Sequence, residues 1–500
     1  MAFDGLRVIF LTGSLHYYNE ETRRQVAEQS QAIVAGLGAS PEIPVEIVHT
    51  PTLLDPDGIR RACLEASADD GCIGVIGWMH TFSPAKMWIA GLQALQKPFL
   101  HLHTQYGAGL PYGSLDMDFM NLNQSAHGDR EFAYIMSRLR RPRKTVAGHW
   151  QDPVVQRRVG AWMRAAAGAH EARHLRVIRF GDNMREVADT DGDKVELQAR
   201  LGTACNTYPV NELAAAVEAI ADAEVERLCA EYDDAYAVVP ALRPDGERRA
   251  SLRDAARIEL GLRAFLTEHG AMAFVDTFED LGGLKQLPGI GAQRLMADGY
   301  GFGAEGDWKS SALVRIVKAM SEGLPGGVSF MEDYTYDFGA ASPAVLGAHM
   351  LEVCPTIAAA TPSCEIHPLF VGGREDPVRL VFTGAAGPGV VVGLVDMGTH
   401  LRLVANEIDA IDPPAELPAL PVARALWVPR PDFTTAAESW LLAGGPHHTA
   451  YSQAVGLEVI EDFAAMVGVE LLAIDADTSA RQFAKEVRWG NAYWHLAGAV

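Results

Sequence analysis

The sequence predicts an α/β fold, with two parallel, helix-covered sheets in succession and then an antiparallel sheet or barrel. Three observations predict it. Short β-branched runs alternate with amphipathic stretches through the first third, the same alternation restarts near Leu175, and from about Gly326 the chain becomes brief strands separated by Gly, Pro and Asp. At 500 residues the chain is too long for one hydrophobic core, so roughly two to four domains are expected.

The elements follow in order. Residues 6–11 read as a strand, 20–37 as an amphipathic helix and 45–48 as a second strand. Residues 73–78, 98–102 and 144–147 continue the strands, with a helix-like stretch at 85–95. Ligands on sheets of this kind bind at the carboxyl ends of the strands. The charged segment 171–174 marks the first boundary, and residues 175–180 open the second series. Its middle is helix-rich, with apolar residues at helical spacing over 210–232 and 251–268. Residues 378–382, 390–395 and 401–404 are the short strands of the antiparallel part.

Composition narrows the function. With 48% hydrophobic and 21% charged residues the chain is an ordinary globular protein. Its 64 acidic against 42 basic residues give a net charge of −22, which repels a phosphate backbone and argues against nucleic acid as a partner. A neutral ligand fits better. The six cysteines show no C-x-x-C spacing, as expected of buried thiols in a reducing compartment. Residues 1–9 have no charged region followed by a long apolar run, and no stretch reaches the ~18 apolar residues of a spanning helix. A soluble, cytoplasmic protein without a membrane partner is expected.

Several segments carry candidate chemistry. Residues 301–306 match G-x-G-x-x-G, but residues 291–297 before them read as helix rather than as a buried strand, and Glu305 would face a pyrophosphate. These glycines read instead as a loop that presents Glu305 at the mouth of a helix over 308–320. A carboxylate there also complements the helix dipole, which alone is the simpler explanation. On a strand, Phe330, Glu332 and Tyr334 share one face, which places a carboxylate between two aromatics on the buried side. Such a carboxylate signals a cation or a tuned acid or base, unless the strand end faces solvent. His349 lies among apolar residues, where a histidine is more often a hydrogen-bonded core residue than a ligand. His447 and His448 occupy a Gly-Gly-Pro-His-His loop, a less ordinary core element. Two carboxylates and two imidazoles would suit a divalent ion such as Mn²⁺ and leave positions for substrate hydroxyls.

Longer runs carry a resemblance. GDNMREVA at 181–188, HTFSPAKMW at 80–88, DMDFMNLNQ at 116–124, EGDWK at 305–309, FMEDYTY at 330–336, HMLEVCP at 349–355 and GGPHHT at 444–449 span the chain. They closely resemble the L-arabinose isomerase family. The resemblance implies two Rossmann-like α/β domains, 1–174 and 175–326, followed by a C-terminal antiparallel β-barrel-like domain, 327–500. It implies Glu305, Glu332, His349 and His448 as ligands of one Mn²⁺ per subunit, with Co²⁺ or Mg²⁺ as substitutes. His447 would be a neighbour in the loop, and Phe82, His127, Met184 and Phe278 would surround a small neutral sugar. A homohexamer with active sites between subunits follows from the same resemblance.

Two positions depart from the family pattern. Leu15, before His16, stands where the family commonly has a Gln that reaches the sugar, and Phe370 stands where it more often has Gly. The Leu15 side chain can make no hydrogen bond, so His16 or water replaces the Gln or that hydroxyl is read differently. The implied reaction is the first step of L-arabinose catabolism, L-arabinose to L-ribulose through a cis-enediol, with D-galactose to D-tagatose as side reaction. Glu305 and Glu332 would serve as acid and base, and Leu15 leaves another preferred aldose open. Two other classes of protein share parts of this pattern. A nicotinamide-dependent sugar dehydrogenase would use the loop at 301–306 and bind NAD(H), and a periplasmic-type sugar-binding protein would need a signal peptide and no carboxylate and histidine set.

Overall fold

The computed structural model describes residues 3–339 and 342–497. It divides into two compact units, Met1–His170 with Glu461–Val467, and Glu171–Ile460 with Gly468–Val500. In the first unit β1 (Arg7–Gly13), β2 (Glu46–His49), β3 (Cys72–Met79), β4 (Phe99–His103) and β5 (Lys144–Ala147) form one sheet in the order β2-β1-β3-β4-β5. All its pairings are parallel. Every residue of β3 is buried, as a central parallel strand covered on both faces requires. Two of its glycines are needed for space: a Cβ at Gly74 would come 2.5 Å from the Trp162 ring, and one at Gly77 would come 2.4 Å from Phe99.

The strand order reverses at β1 and β3, and the loops leaving their carboxyl ends meet there, with the Ser14 and Thr81 hydroxyls 2.7 Å apart. Such a switch point opens a crevice for a ligand.

The second unit begins with β6 (Arg176–Phe180), β7 (Ala204–Tyr208), β8 (Ala237–Val238), β9 (Ala273–Val275) and β10 (Gly301–Gly303). A four-stranded parallel sheet runs β10-β9-β6-β7. The remaining strands are β11 (Val328–Asp337), β12 (Ala344–Ala348), β13 (Ser363–Ile366), β14 (Val378–Val381), β15 (Gly387–Asp396), β16 (Leu401–Ile411), β17 (Arg424–Pro429), β18 (His448–Ser452) and β19 (Glu470–Ile474). Six of them, β15-β18-β11-β12-β17-β16, close into an antiparallel barrel through the β15 and β16 pairing, and β19 adds in parallel to β16. Closure removes the exposed edges of the six strands. Met331, Val391, Ile408, Trp427 and Tyr451 share one buried cluster. The other face of β11 carries Phe330 and Glu332.

Several elements differ from the sequence expectation. The glycines at 301–303 are not a loop but β10, the edge strand of the second parallel sheet, because the chain is buried there and pairs with β9. Residues 171–174 are the last turn of the helix Pro153–His174. The helical stretch at 210–232 is two helices, Val210–Glu218 and Asp222–Ala235, and the one at 85–95 is a 3₁₀ turn, Ala85–Trp88, leading into Ile89–Ala94. Tyr334 does not share a buried face with Phe330. The β11 and β12 register shifts between Asp333 and Thr335, and Tyr334 is 51% exposed.

Candidate metal centre

Four chain segments of the second unit build the centre. The first is the turn between β10 and the helix Trp308–Met320. Glu305 has φ +57° and Gly306 φ +79°. A non-glycine residue in the left-handed region costs about 1–2 kcal/mol and persists only where its surroundings hold it. Here the Met184 amide donates to the Glu305 carbonyl at 2.9 Å, and Asn183 Nδ2 donates to the Gly306 carbonyl at 3.1 Å. A Cβ on Gly306 would lie 2.4 Å from the Asn183 Cα, so only glycine lets these two turns meet. Asp307 caps the helix by accepting from the Ser310 amide.

The other three segments belong to neighbouring strands of the barrel. Glu332 on β11 pairs with His448 on β18 to one side and with Ala348 on β12 to the other, and His349 follows Ala348 directly. Among the described residues, Glu305, His349 and His448 each offer a ligand atom within 4.8 Å of the others'. Glu332 stands outside that tighter group, beside His448 across the strand pairing.

Both histidines are held by carboxylates. His349 Nδ1 donates to Glu352 at 2.6 Å, and His448 Nδ1 donates to Asp307 at 3.2 Å. Each ring thereby keeps its Nε2 lone pair free, the usual arrangement around a protein-bound metal. His448 Nε2 is buried and has no hydrogen-bond partner. An unmade hydrogen bond in the interior costs about 1–3 kcal/mol, and a cation at that nitrogen would remove the cost. Burial lowers the pKa of His448 despite Asp307, which keeps the imidazole neutral. Burial would also neutralise Asp307, but Lys309 and His448 hold it well below the usual carboxylate range. Lys309 is itself buried, 3.3 Å from Asp307, and donates to the Thr190 and Asp191 carbonyls.

His447 lies beside the group. Its Nδ1 donates to Asp189 at 2.6 Å, and its Nε2 is 3.6 Å from Glu305. Burial disfavours its cation, yet Asp189 and Glu305 outweigh burial and push its pKa up to about 10. Burial likewise disfavours ionised Glu305, but His447, His448 and His349 hold its pKa below the usual value. An ionised carboxylate and imidazoles oriented through their Nδ1 atoms are a donor set that fits a divalent ion of intermediate hardness.

The other residues marked in the sequence fall into two places. In the first unit Leu15 is half-buried and His16 exposed on the loop after β1, while Phe82 on the loop after β3 stacks on His127 at 4.9 Å. In the second unit Met184 is bonded to Glu305 through its amide, and Phe278 lies near Gly372, where an added Cβ would come 3.6 Å from the Phe278 Cβ. Phe370 is 89% exposed. Sequence reasoning missed Asp307, Glu352, Lys309 and Asp189. The first three lie inside the runs EGDWK and HMLEVCP, and an Asp just before a helix was a readable cap; nothing local marks Asp189.

Known proteins match this chain throughout. The models of the L-arabinose isomerase N-terminal, central and C-terminal domains match residues 2–174, 176–323 and 327–470. An L-arabinose isomerase of Nocardioides sp. is 60% identical over 494 residues, 99% of this chain and 98% of that protein. One of Mycolicibacterium smegmatis is 57% identical over 498 residues, 100% and 99% of the two chains. One of Acidothermus cellulolyticus is 60% identical over 470 residues, 94% of each. Two parallel sheets, a closed barrel and a cluster of ionisable groups at the strand ends therefore belong to an enzyme, an aldose–ketose isomerase. The chain belongs to the L-arabinose isomerase family.

Proposed function

We propose that the protein converts L-arabinose to L-ribulose with one Mn²⁺ per subunit, held by Glu305, Glu332, His349 and His448. The observation that carries the metal reading is the buried, partnerless Nε2 of His448 within the Glu305, His349 and His448 group. The substrate reading rests on the relatives, whose names give that activity at 57–60% identity over nearly the whole chain. When bound, the ion would supply positive charge against the oxyanion that develops on the sugar, worth several kcal/mol.

The chain's own residues do the rest. Isomerisation takes a proton from C2 to C1 and a second between the two oxygens, by way of a cis-enediol. Glu305 and Glu332 serve as the acid and base pair. Glu305 is ready to accept a proton because the neighbouring histidines favour its ionised form. Glu352 and Asp307 keep the two imidazoles in one tautomer. Leu15, His16, Phe82, His127, Met184, Phe278 and His447 are the proposed sugar contacts. Phe82 and His127 offer a stacked apolar wall for that role.

Further parts of the reading are proposals of the same kind. The meeting points of the family models support domains at 1–174, 175–326 and 327–500. Exposed Tyr112, Met117 and Met120 favour burial against further copies, as in a homohexamer with sites between subunits. A place in the cytoplasm, in L-arabinose catabolism, is part of the same proposal; no described helix is long and apolar enough to cross a membrane. D-galactose to D-tagatose is the expected side reaction, since the two sugars share configuration at C2 to C4. A panel of aldoses with the Mn²⁺-loaded protein tests the reading. Turnover is expected to be highest with L-arabinose, and preference for another aldose would move the specificity.

A further inference from the structure

We propose that Asp189 is a positioning residue that holds the His447 ring against Glu305. The inference rests on the isomerase reading above, and adds to it a residue outside the ligand set and the sugar contacts. One oxygen, Asp189 Oδ2, accepts from both the ring Nδ1 of His447 at 2.6 Å and its backbone amide at 3.2 Å. The ring therefore cannot turn without losing a bond from the group that also holds its peptide. With Nδ1 engaged, the remaining nitrogen is the one 3.6 Å from Glu305 Oε2.

Asp189 is 258 residues from His447 in sequence, and its own place is firmly set. Asn183 Nδ2 and Lys309 Nζ both donate to the Thr190 carbonyl, at 2.6 and 2.8 Å, and the Asp193 amide donates to Asp396 on β15 at 2.7 Å. Asn183 and Lys309 each also bond within the Glu305 turn or its cap. The same short segment thus fixes the Glu305 backbone and the His447 ring relative to each other.

A purely structural role for the contact is the competing account, and the loop argues against it. Trp440 already anchors the turn before His447: its carbonyl accepts from the Gly445 amide, and its indole donates to the Pro446 carbonyl at 3.0 Å. The turn is held without Asp189. What Asp189 alone supplies is the direction of the imidazole.

The test is a double-mutant cycle with Asp189→Ala and His447→Gln in the Mn²⁺-loaded enzyme, read as kcat and KM for L-arabinose. Each variant is also titrated with Mn²⁺ and melted. Asp189→Ala is expected to lower kcat about ten- to a hundredfold, with KM, the Mn²⁺ midpoint and the melting temperature near wild type. In the His447→Gln background it is expected to change kcat less than about twofold, because its effect runs through that ring. Asp189→Asn, which keeps an accepting oxygen, is expected to fall between. Additive losses in the cycle, or a parallel loss of Mn²⁺ affinity and melting temperature, would overturn the proposal. A crystal structure of Asp189→Ala separates this failure from that of the isomerase reading. If wild type makes no ketose, a His447 ring turned away from Glu305 still supports the positioning role, and an unmoved ring refutes it.

Discussion

His448 stands directly opposite Glu332 across the antiparallel pairing of β18 with β11. Cross-strand partners of this kind keep their Cβ atoms about 4.5–5.5 Å apart on one face of the sheet. A carboxylate and an imidazole far apart in sequence are thus made neighbours by strand register alone. A slip of one residue would turn one of them to the opposite face.

Glu305→Gln and Glu332→Gln each remove a proposed proton-transfer group while keeping its shape. Each is expected to lower kcat about 10²- to 10⁴-fold without disturbing the fold. Turnover with Mn²⁺ bound, compared with circular dichroism, checks this. Near-wild-type kcat in either variant would remove that carboxylate from the acid and base pair.

His448→Asn replaces a neutral imidazole whose Nε2 is buried and unpaired. Loss of this proposed ligand should weaken Mn²⁺ binding, and with it the stabilisation that comes from binding the folded state alone. The rise in melting temperature on adding Mn²⁺ should shrink in the variant. An unchanged Mn²⁺ titration would take His448 out of the ligand set.

Leu15→Gln tests the departure from the family pattern at the carboxyl end of β1. A gained hydrogen bond to a sugar hydroxyl contributes about 0.5–1.5 kcal/mol, so kcat/KM for L-arabinose should rise by about two- to tenfold. No change would mean that His16 or water already fills that role.

His103, in the first unit, carries a pH signature of its own. Its Nδ1 contacts the buried Asp129, which also accepts from His101 Nε2 at 2.7 Å. The bond to Asp129 raises the His103 pKa above its ordinary 6.5, against the effect of burial. A group raised on folding stabilises the protein fully below its unfolded pKa, and that contribution disappears as pH climbs through the folded value. The gap in melting temperature between wild type and His103→Gln should therefore be wider near pH 5.5 and narrow by about pH 8.5. A gap that widens with pH would contradict the assignment.

Much of the fold was legible because its signals are local. The apolar runs at 6–11 and 73–78 became β1 and β3, and the helix over 308–320 lies where the spacing put it. The edge strand β10 was not legible, since a Gly-Phe-Gly run has no strand character of its own and is a strand only by pairing with β9. The exposure of Tyr334 depends on a register shift that no periodicity reveals. At the site, the residue types at Glu305, Glu332, His349 and His448 could be singled out, but the placing of Glu332 beside His448 depends on cross-strand pairing over more than a hundred residues. The residues that orient them differ in kind. Asp307 and Glu352 sit within three positions of a group they hold or cap, whereas Asp189 meets His447 only through the tertiary fold.

The most direct measurement is L-ribulose formation from L-arabinose by chelator-stripped protein, before and after Mn²⁺ is returned. No ketose is expected from the stripped protein, and turnover should return with Mn²⁺ bound at Glu305, Glu332, His349 and His448. Full turnover without a metal, or none with Mn²⁺ bound, would contradict this expectation.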